Sequence, residues 1–97
     1  MNINLWYLYR DGANYKKHNS ITFSNANDVS VTDIEHQIRN RLIDNEWFSA
    51  KKWGLPDLHF EDWDEEIDHN WHEFNYVEVT SELDAKEDIT AFLERIK

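Results

Sequence analysis

The 97-residue chain contains no cysteine, one proline and only two glycines. Without cysteine there can be no disulfide bond within the chain and no thiolate ligand for a metal. The two glycines, Gly12 and Gly54, lie in unrelated contexts, so the chain has no glycine-rich loop of the kind that holds phosphates. These absences exclude a disulfide scaffold, a thiolate zinc module and a phosphate-binding loop.

Long apolar runs are also missing. No stretch approaches the roughly 18 consecutive apolar residues that a membrane-spanning helix needs. The first residues lack the basic region and apolar run of a secretory signal, so we expect a cytoplasmic protein that does not enter a membrane. A hydrophobic content of 40%, with five tryptophans, predicts one folded domain over residues 1–97 rather than a disordered acidic tail.

Lysine and arginine are absent from residues 53–85, which carry eleven acidic side chains. Residues 1–52 carry seven basic and six acidic side chains, and residues 86–97 carry three of each. The middle segment therefore accounts for the net charge of −10. A surface of that sign repels nucleic-acid phosphates and anionic membranes and attracts cations or basic proteins. Direct binding to nucleic acid or to a membrane is not expected.

The N-terminal third predicts a β-hairpin. The run Asn2–Arg10 alternates and is rich in aromatic residues, which is typical of a strand. Asp11-Gly12 predicts the turn, with Gly12 supplying a positive φ, and Tyr15–Phe23 predicts the return strand.

Two helices and further strands are predicted after the hairpin. Thr32–Glu35 has the pattern of a capping box, and the helix that it begins should end near Asp44-Asn45. Residues 46–53 predict a short strand or a helical turn, and Phe74–Thr80 predicts a strand. Asp84 is predicted to cap the last helix. The apolar stripes of the two helices are Ile34, Ile38 and Leu42, and Ile89, Phe92, Leu93 and Ile96.

The resulting order, β-β-α-(β)-β-α, predicts an α+β fold. Because strands and helices are partly segregated along the chain, we expect a small antiparallel sheet with both helices on one face.

Metal binding is one function that the acidic segment suggests. Oxygen-bearing side chains recur at the spacing of a calcium loop of the EF-hand type, with a glutamate at the last position. Ile67 stands where such a loop needs glycine. The nearby histidines, His59, His69 and His72, suggest a transition metal instead. The candidate calcium ligands are Asp62, Asp64, Glu66, Asp68 and Glu73.

No pattern predicts catalysis. There is no cysteine nucleophile and no serine in a glycine-flanked elbow. An acidic run always supplies a pair of carboxylates, so such a pair does not identify a glycosidase. We predict a protein that is not an enzyme and has no cofactor.

Partner recognition is the leading interpretation. Aromatic side chains set among carboxylates suit a basic protein surface, because rings fill pockets while charges accelerate encounter and reject wrong partners. The predicted function is a small acidic inhibitor or immunity-type protein. Its partner would be a nuclease toxin or CRISPR effector, bound by mimicry of nucleic acid. A housekeeping module whose acidity serves solubility is a further alternative. The candidate partner-binding residues are Glu61, Asp62, Trp63, Asp64, Glu65, Glu66, Asp68 and Trp71.

Two stretches, Trp6–Lys16 (WYLYRDGANYK) and Asp62–Phe74 (DWDEEIDHNWHEF), cover about a quarter of the chain. They resemble segments shared by a group of small, uncharacterised bacterial proteins without an assigned activity. The resemblance implies a bacterial or phage origin, and it implies no role for any residue.

Overall fold

A computed structural model describes residues 1–60 and 69–97. Within these residues, four strands form one antiparallel sheet in the order β2-β1-β4-β3, accompanied by three helices. The predicted α+β fold is confirmed, and a short helix follows the third strand. In chain order the elements are β1 (Asn2–Arg10), β2 (Lys16–Phe23), α1 (Val31–Arg39), β3 (Trp47–Phe48), α2 (Ala50–Trp53), β4 (His72–Thr80) and α3 (Ile89–Arg95).

The turn between β1 and β2 is held by a side chain rather than by a glycine. The carboxylate of Asp11 accepts hydrogen bonds from the backbone N–H groups of Ala13, at 3.0 Å, and Tyr15, at 2.8 Å. The positive φ of this turn falls on Asn14, at 70°, so the expectation for Gly12 was wrong. Asparagine tolerates the left-handed region, and β2 consequently starts one residue later than predicted.

A β-bulge decides which face of β4 is buried. Trp6 lies opposite Tyr76, whereas the next residue, Tyr7, lies opposite Phe74. Asn75 is therefore an extra residue in β4, and the strict alternation of its side chains is broken there. The bulge lets Phe74 share the buried face with a valine three residues later.

The core lies on one face of the sheet. Tyr7 and Tyr9 are fully buried there, and both helical stripes pack into the same cluster. On the opposite face, Tyr76 is 44% exposed and its ring stacks on that of Trp6 with 6.1 Å between centroids. The largest fully buried core side chains also include Ile3, Leu5, Phe23, Ile34, Ile38, Phe48, Ile89 and Phe92.

The first helix is shorter than its apolar pattern predicted. Its N-cap is Ser30, whose hydroxyl accepts from the backbone N–H of Asp33 at 3.1 Å, so the predicted cap at Thr32 was wrong. The helix ends at Arg39 rather than near Asp44-Asn45, because those two residues have φ of 52° and 62° and form a tight turn. Leu42 lies beyond the end of the helix but still packs against the core. This contact explains why it continues the apolar period in the sequence.

Residues 46–53 contain both of the elements that their pattern allowed. The two-residue strand β3 pairs with β4, and Trp47 lies opposite Glu73. The single turn of α2 then ends at Gly54, whose φ of 72° makes a left-handed C-cap.

The last helix is capped by Asp88, so the prediction for Asp84 was wrong. The Asp88 carboxylate accepts from the backbone N–H groups of Thr90, at 3.0 Å, and Ala26, at 2.9 Å. It also accepts from the hydroxyl of Ser24 at 3.1 Å. The cap therefore joins α3 to the loop after β2, and the predicted stripe of α3 is buried as expected.

Candidate functional site

The predicted binding residues fall mostly on one unbroken segment. Residues 61–68, which hold seven of the eight candidate partner-binding residues and four of the five candidate calcium ligands, lie outside the described residues. The two remaining candidates are Trp71 and Glu73. Trp71 is 42% exposed.

Both described flanks of residues 61–68 contact Tyr9. The buried Tyr9 ring lies 4.7 Å from the His59 ring and 6.3 Å from the Phe60 ring, centroid to centroid. On the other flank, the Tyr9 hydroxyl donates to the carbonyl of His69 at 2.7 Å. The described residues on both flanks therefore lie beside the same core side chain.

The three clustered histidines do come together in space, around Tyr9. The Tyr9 ring lies 5.4 Å from the ring of His69 and 5.2 Å from the ring of His72, and the His59 and His72 rings are 5.7 Å apart. This proximity agrees with their close sequence spacing. Three of their ring nitrogens, however, already contact other groups of the chain.

Two of these histidines already use ring nitrogens in contacts with the chain. Nε2 of His72 accepts from the backbone N–H of Leu58 at 3.0 Å, and Nδ1 of His59 lies 3.0 Å from the Asp57 carboxylate. Burial lowers the pKa of His72, and Asp57 partly opposes that shift. The folded state therefore favours the neutral form of the His72 ring. Over residues 1–60 and 69–97, no group of three or more acidic or histidine side chains has an arrangement that could hold a metal ion.

Glu73 is committed to an ion pair. Its carboxylate accepts from Arg10 Nε at 2.8 Å and from Nη2 at 3.3 Å, and the residue is only 8% exposed. The Glu73 partnership also keeps the pKa of Arg10 above its ordinary value. A bidentate arginine contact occupies the oxygens that a calcium ion would need from the last loop position.

A pocket of 340 Å³ opens where β3 and the start of β4 meet. Two of its lining residues, His69 and Trp71, lie within three positions of residue 68 in the sequence. The pocket is mostly apolar and contains one carboxylate. Its lining residues are Ile43, Asp44, Trp47, His69 and Trp71.

A backbone turn and a side-chain contact position the residues that line this pocket. Ile43 and Trp47 exchange both backbone hydrogen bonds across the turn, at 2.8 and 3.0 Å. The turn places Asp44 at the rim, and aspartate is among the residues that tolerate its positive φ. On the β4 side, Nδ1 of His69 accepts from the backbone N–H of Trp71 at 3.0 Å.

Sequence reasoning identified Trp71 but missed Ile43, Asp44 and Trp47. The available signal was the Asp44-Asn45 pair before Trp47-Phe48, since two adjacent residues that tolerate positive φ favour a tight hairpin turn. The helical period that runs through Ile34, Ile38 and Leu42 outweighed it.

The pocket's carboxylate, that of Asp44, forms no ion pair with any described residue. The described arginines and lysines that do form ion pairs form them with other carboxylates. Residues 61–68 contain no lysine or arginine that could neutralise it. The described ion pairs with Lys or Arg join Arg10 to Glu73, Arg39 to Glu35, Arg95 to Glu87 and Lys97 to Glu94.

Comparison with known proteins adds no relative: no family model, no curated protein and no solved structure matches the chain. Among the described residues, none of the helices has both the length and the apolar character needed to cross a bilayer.

Proposed function

We propose that this chain is a small acidic protein-binding factor whose partner presents a basic surface. The observation that carries the proposal is the charge segregation: residues 53–85 hold eleven carboxylates and no lysine or arginine. Self-repulsion in such a segment opposes the compact state. A binding partner that neutralises the charges offsets that cost.

The described end of the segment supports protein recognition over metal binding. Trp71 is 42% exposed beside a mostly apolar pocket, and tryptophan is a frequent anchor residue in protein interfaces. By contrast, Arg10 holds the carboxylate of Glu73, and Leu58 occupies Nε2 of His72. The candidate metal ligands within the described residues are thus already engaged by the protein itself.

An enzyme that acts on nucleic acid is the partner class that fits best. Such enzymes line their grooves with lysine and arginine to hold phosphates. A run of carboxylates placed in that groove would take the place of the phosphates and act as an inhibitor. We place this activity in the cytoplasm, as an immunity-type function against a nuclease, without catalysis by the chain itself.

Affinity capture from a bacterial lysate with a tagged chain tests the proposal when it is paired with a neutralised variant. We expect the native chain to enrich basic nucleic-acid-processing proteins and the variant to lose them, because the attraction depends on charge. The variant replaces the six acidic residues of 61–68 by their amides: E61Q, D62N, D64N, E65Q, E66Q and D68N.

A second variant tests whether a change of charge elsewhere on the chain has the same effect on capture. K51Q and K52Q alter two exposed charges on α2, on the basic portion of the chain, and should leave capture unchanged. If the native and neutralised chains recover the same proteins in the same amounts, the carboxylates of residues 61–68 do not bind the partner and the proposal is wrong.

A further inference from the structure

We infer that the pocket between β3 and β4 receives one arginine side chain of the partner, with its guanidinium held between the indole of Trp71 and the carboxylate of Asp44. The inference rests on the proposed function and adds a chemical detail to it. Within a charged interface, this pocket would bind one planar cation.

The pocket has the size and the exposure of a binding site. Its 340 Å³ lies within the range of about 300–1,000 Å³ that small ligands occupy. Trp71 is 42% exposed and Ile43 is 46% exposed, so large apolar surfaces face solvent at the mouth. Within the described residues, the indole N–H groups of Trp47 and Trp71 donate no hydrogen bond. These two N–H groups are therefore available to a ligand.

The charge of the pocket specifies a cation. Asp44 is exposed and makes no ion pair in the described part of the chain. The undescribed residues 61–68 cannot supply a counter-ion, because they include no lysine and no arginine. The Asp44 carboxylate is therefore open to a cation from a partner, and a basic surface presents many.

The aromatic lining favours arginine among the cations. A guanidinium is planar and weakly hydrated, so it stacks on an indole face while its N–H groups point to a carboxylate. An ammonium group is more strongly hydrated and does not stack in the same way. Two tryptophans and one aspartate in one pocket match the first kind of group.

The test uses N-acetyl-arginine amide as the probe and N-acetyl-citrulline amide as its neutral control. Citrulline has nearly the same shape but carries no charge. Proton–nitrogen NMR of the indole N–H groups reports binding directly. We expect a saturable shift of the Trp47 and Trp71 signals with the arginine probe and none with citrulline. Trp6 and Trp53 serve as internal controls, because the Trp6 indole donates to Glu78 and Trp53 lies in the core.

Two variants make the test specific. D44N removes the charge but keeps the turn, because asparagine tolerates the positive φ of this position. It should weaken binding of the arginine probe roughly threefold, as expected for one exposed ion pair. W71A removes an exposed ring and should abolish the saturable shift of Trp47.

Three results would overturn the inference. The first is the absence of a saturable shift at Trp47 and Trp71, and the second is an equal response to arginine and citrulline. The third is unchanged affinity in D44N. In any of these cases, a capture experiment that still depends on the six carboxylates leaves the proposed function standing, so the two failures are distinguishable.

Discussion

The imidazole Nε2 of His72 accepts the backbone N–H of Leu58 at 3.0 Å and lies 3.5 Å from the carboxylate of Asp57. These contacts join β4 to Asp57 and Leu58, which precede residues 61–68. Because His72 is 1% exposed, protonating its ring would bury a charge and cost the hydrogen bond to Leu58.

Stability is expected to fall with mild acidification. Burial lowers the pKa of His72 below its ordinary value of 6.5, with Asp57 partly opposing. Below pH 6.5 the unfolded ring therefore binds a proton that the folded ring does not, and the free energy of unfolding decreases toward the folded pKa. Above pH 6.5 the contribution of His72 is fully present. Urea titrations over a pH series measure this slope.

H72Q is the matched control for that slope, because its amide oxygen can still accept from Leu58 but does not titrate. The variant should show a shallower loss of stability across the same pH range. Equal slopes in the native chain and H72Q would contradict the account. H72A, which leaves a buried N–H without an acceptor, should cost about 1–3 kcal/mol at neutral pH.

The cap of the last helix gives a second prediction. D88A removes the acceptor for Thr90 and Ala26 and should lower the free energy of unfolding by about 1–2 kcal/mol. D84A changes an exposed carboxylate of the same type and should stay within about 0.5 kcal/mol of the native chain. Chemical denaturation of both variants makes the comparison, and similar losses would mean that Asp88 has no special role.

Gly54 gives a third prediction. A Cβ at this position would lie 2.9 Å from Nε of Arg95, and the φ of 72° disfavours any L side chain. Arg95 has little room to move, because its Nε donates to Trp53 at 2.9 Å and its two terminal nitrogens bind Glu87. G54A should therefore cost more than about 1 kcal/mol.

G12A is the control for G54A, since Gly12 is exposed and its φ is not positive. It should leave the denaturation midpoint nearly unchanged. The account would be wrong if the two alanine variants unfolded at the same denaturant concentration.

Metal ions are expected to leave the melting temperature unchanged. Arg10 holds both oxygens of Glu73, so the closing ligand of a calcium loop is occupied. Thermal melts with calcium, with zinc and after chelation test this expectation. A specific site would add about 2.7 kcal/mol at a hundredfold excess over its dissociation constant. A rise of that size with either ion would restore the metal-binding alternative.

The elements that could be predicted are those whose signal is local. The alternation of Asn2–Arg10 marks β1, and the spacing of Ile89, Phe92 and Leu93 marks the buried stripe of α3. In both cases neighbouring residues alone set the period. The α+β order follows from such segments taken in sequence.

The features that could not be predicted depend on distant contacts. Asp84 and Asp88 both precede the last helix, and Asp88 is distinguished by its contacts with Thr90 and with the distant Ser24 and Ala26. The bulge at Asn75 likewise becomes visible only in the register against β1.

The candidate site likewise has one feature that local sequence predicts and one that depends on distant contacts. The charge of residues 53–85 is a property of sequence alone, whereas the pocket exists because β3 pairs with β4 and brings Trp47 near Trp71. The distance in sequence between these tryptophans hides the pocket from any local pattern.

The most direct test of the central claim is the salt dependence of binding to the most strongly captured basic protein, once purified. Between about 0.1 M and about 1 M salt the Debye length falls from about 10 Å to about 3 Å, which screens exposed charges. Isothermal titration calorimetry should show the dissociation constant of the native chain rising steeply over this range, and that of the variant with six amides rising much less. An affinity indifferent to salt in the native chain would contradict the claim that its carboxylates bind a basic surface.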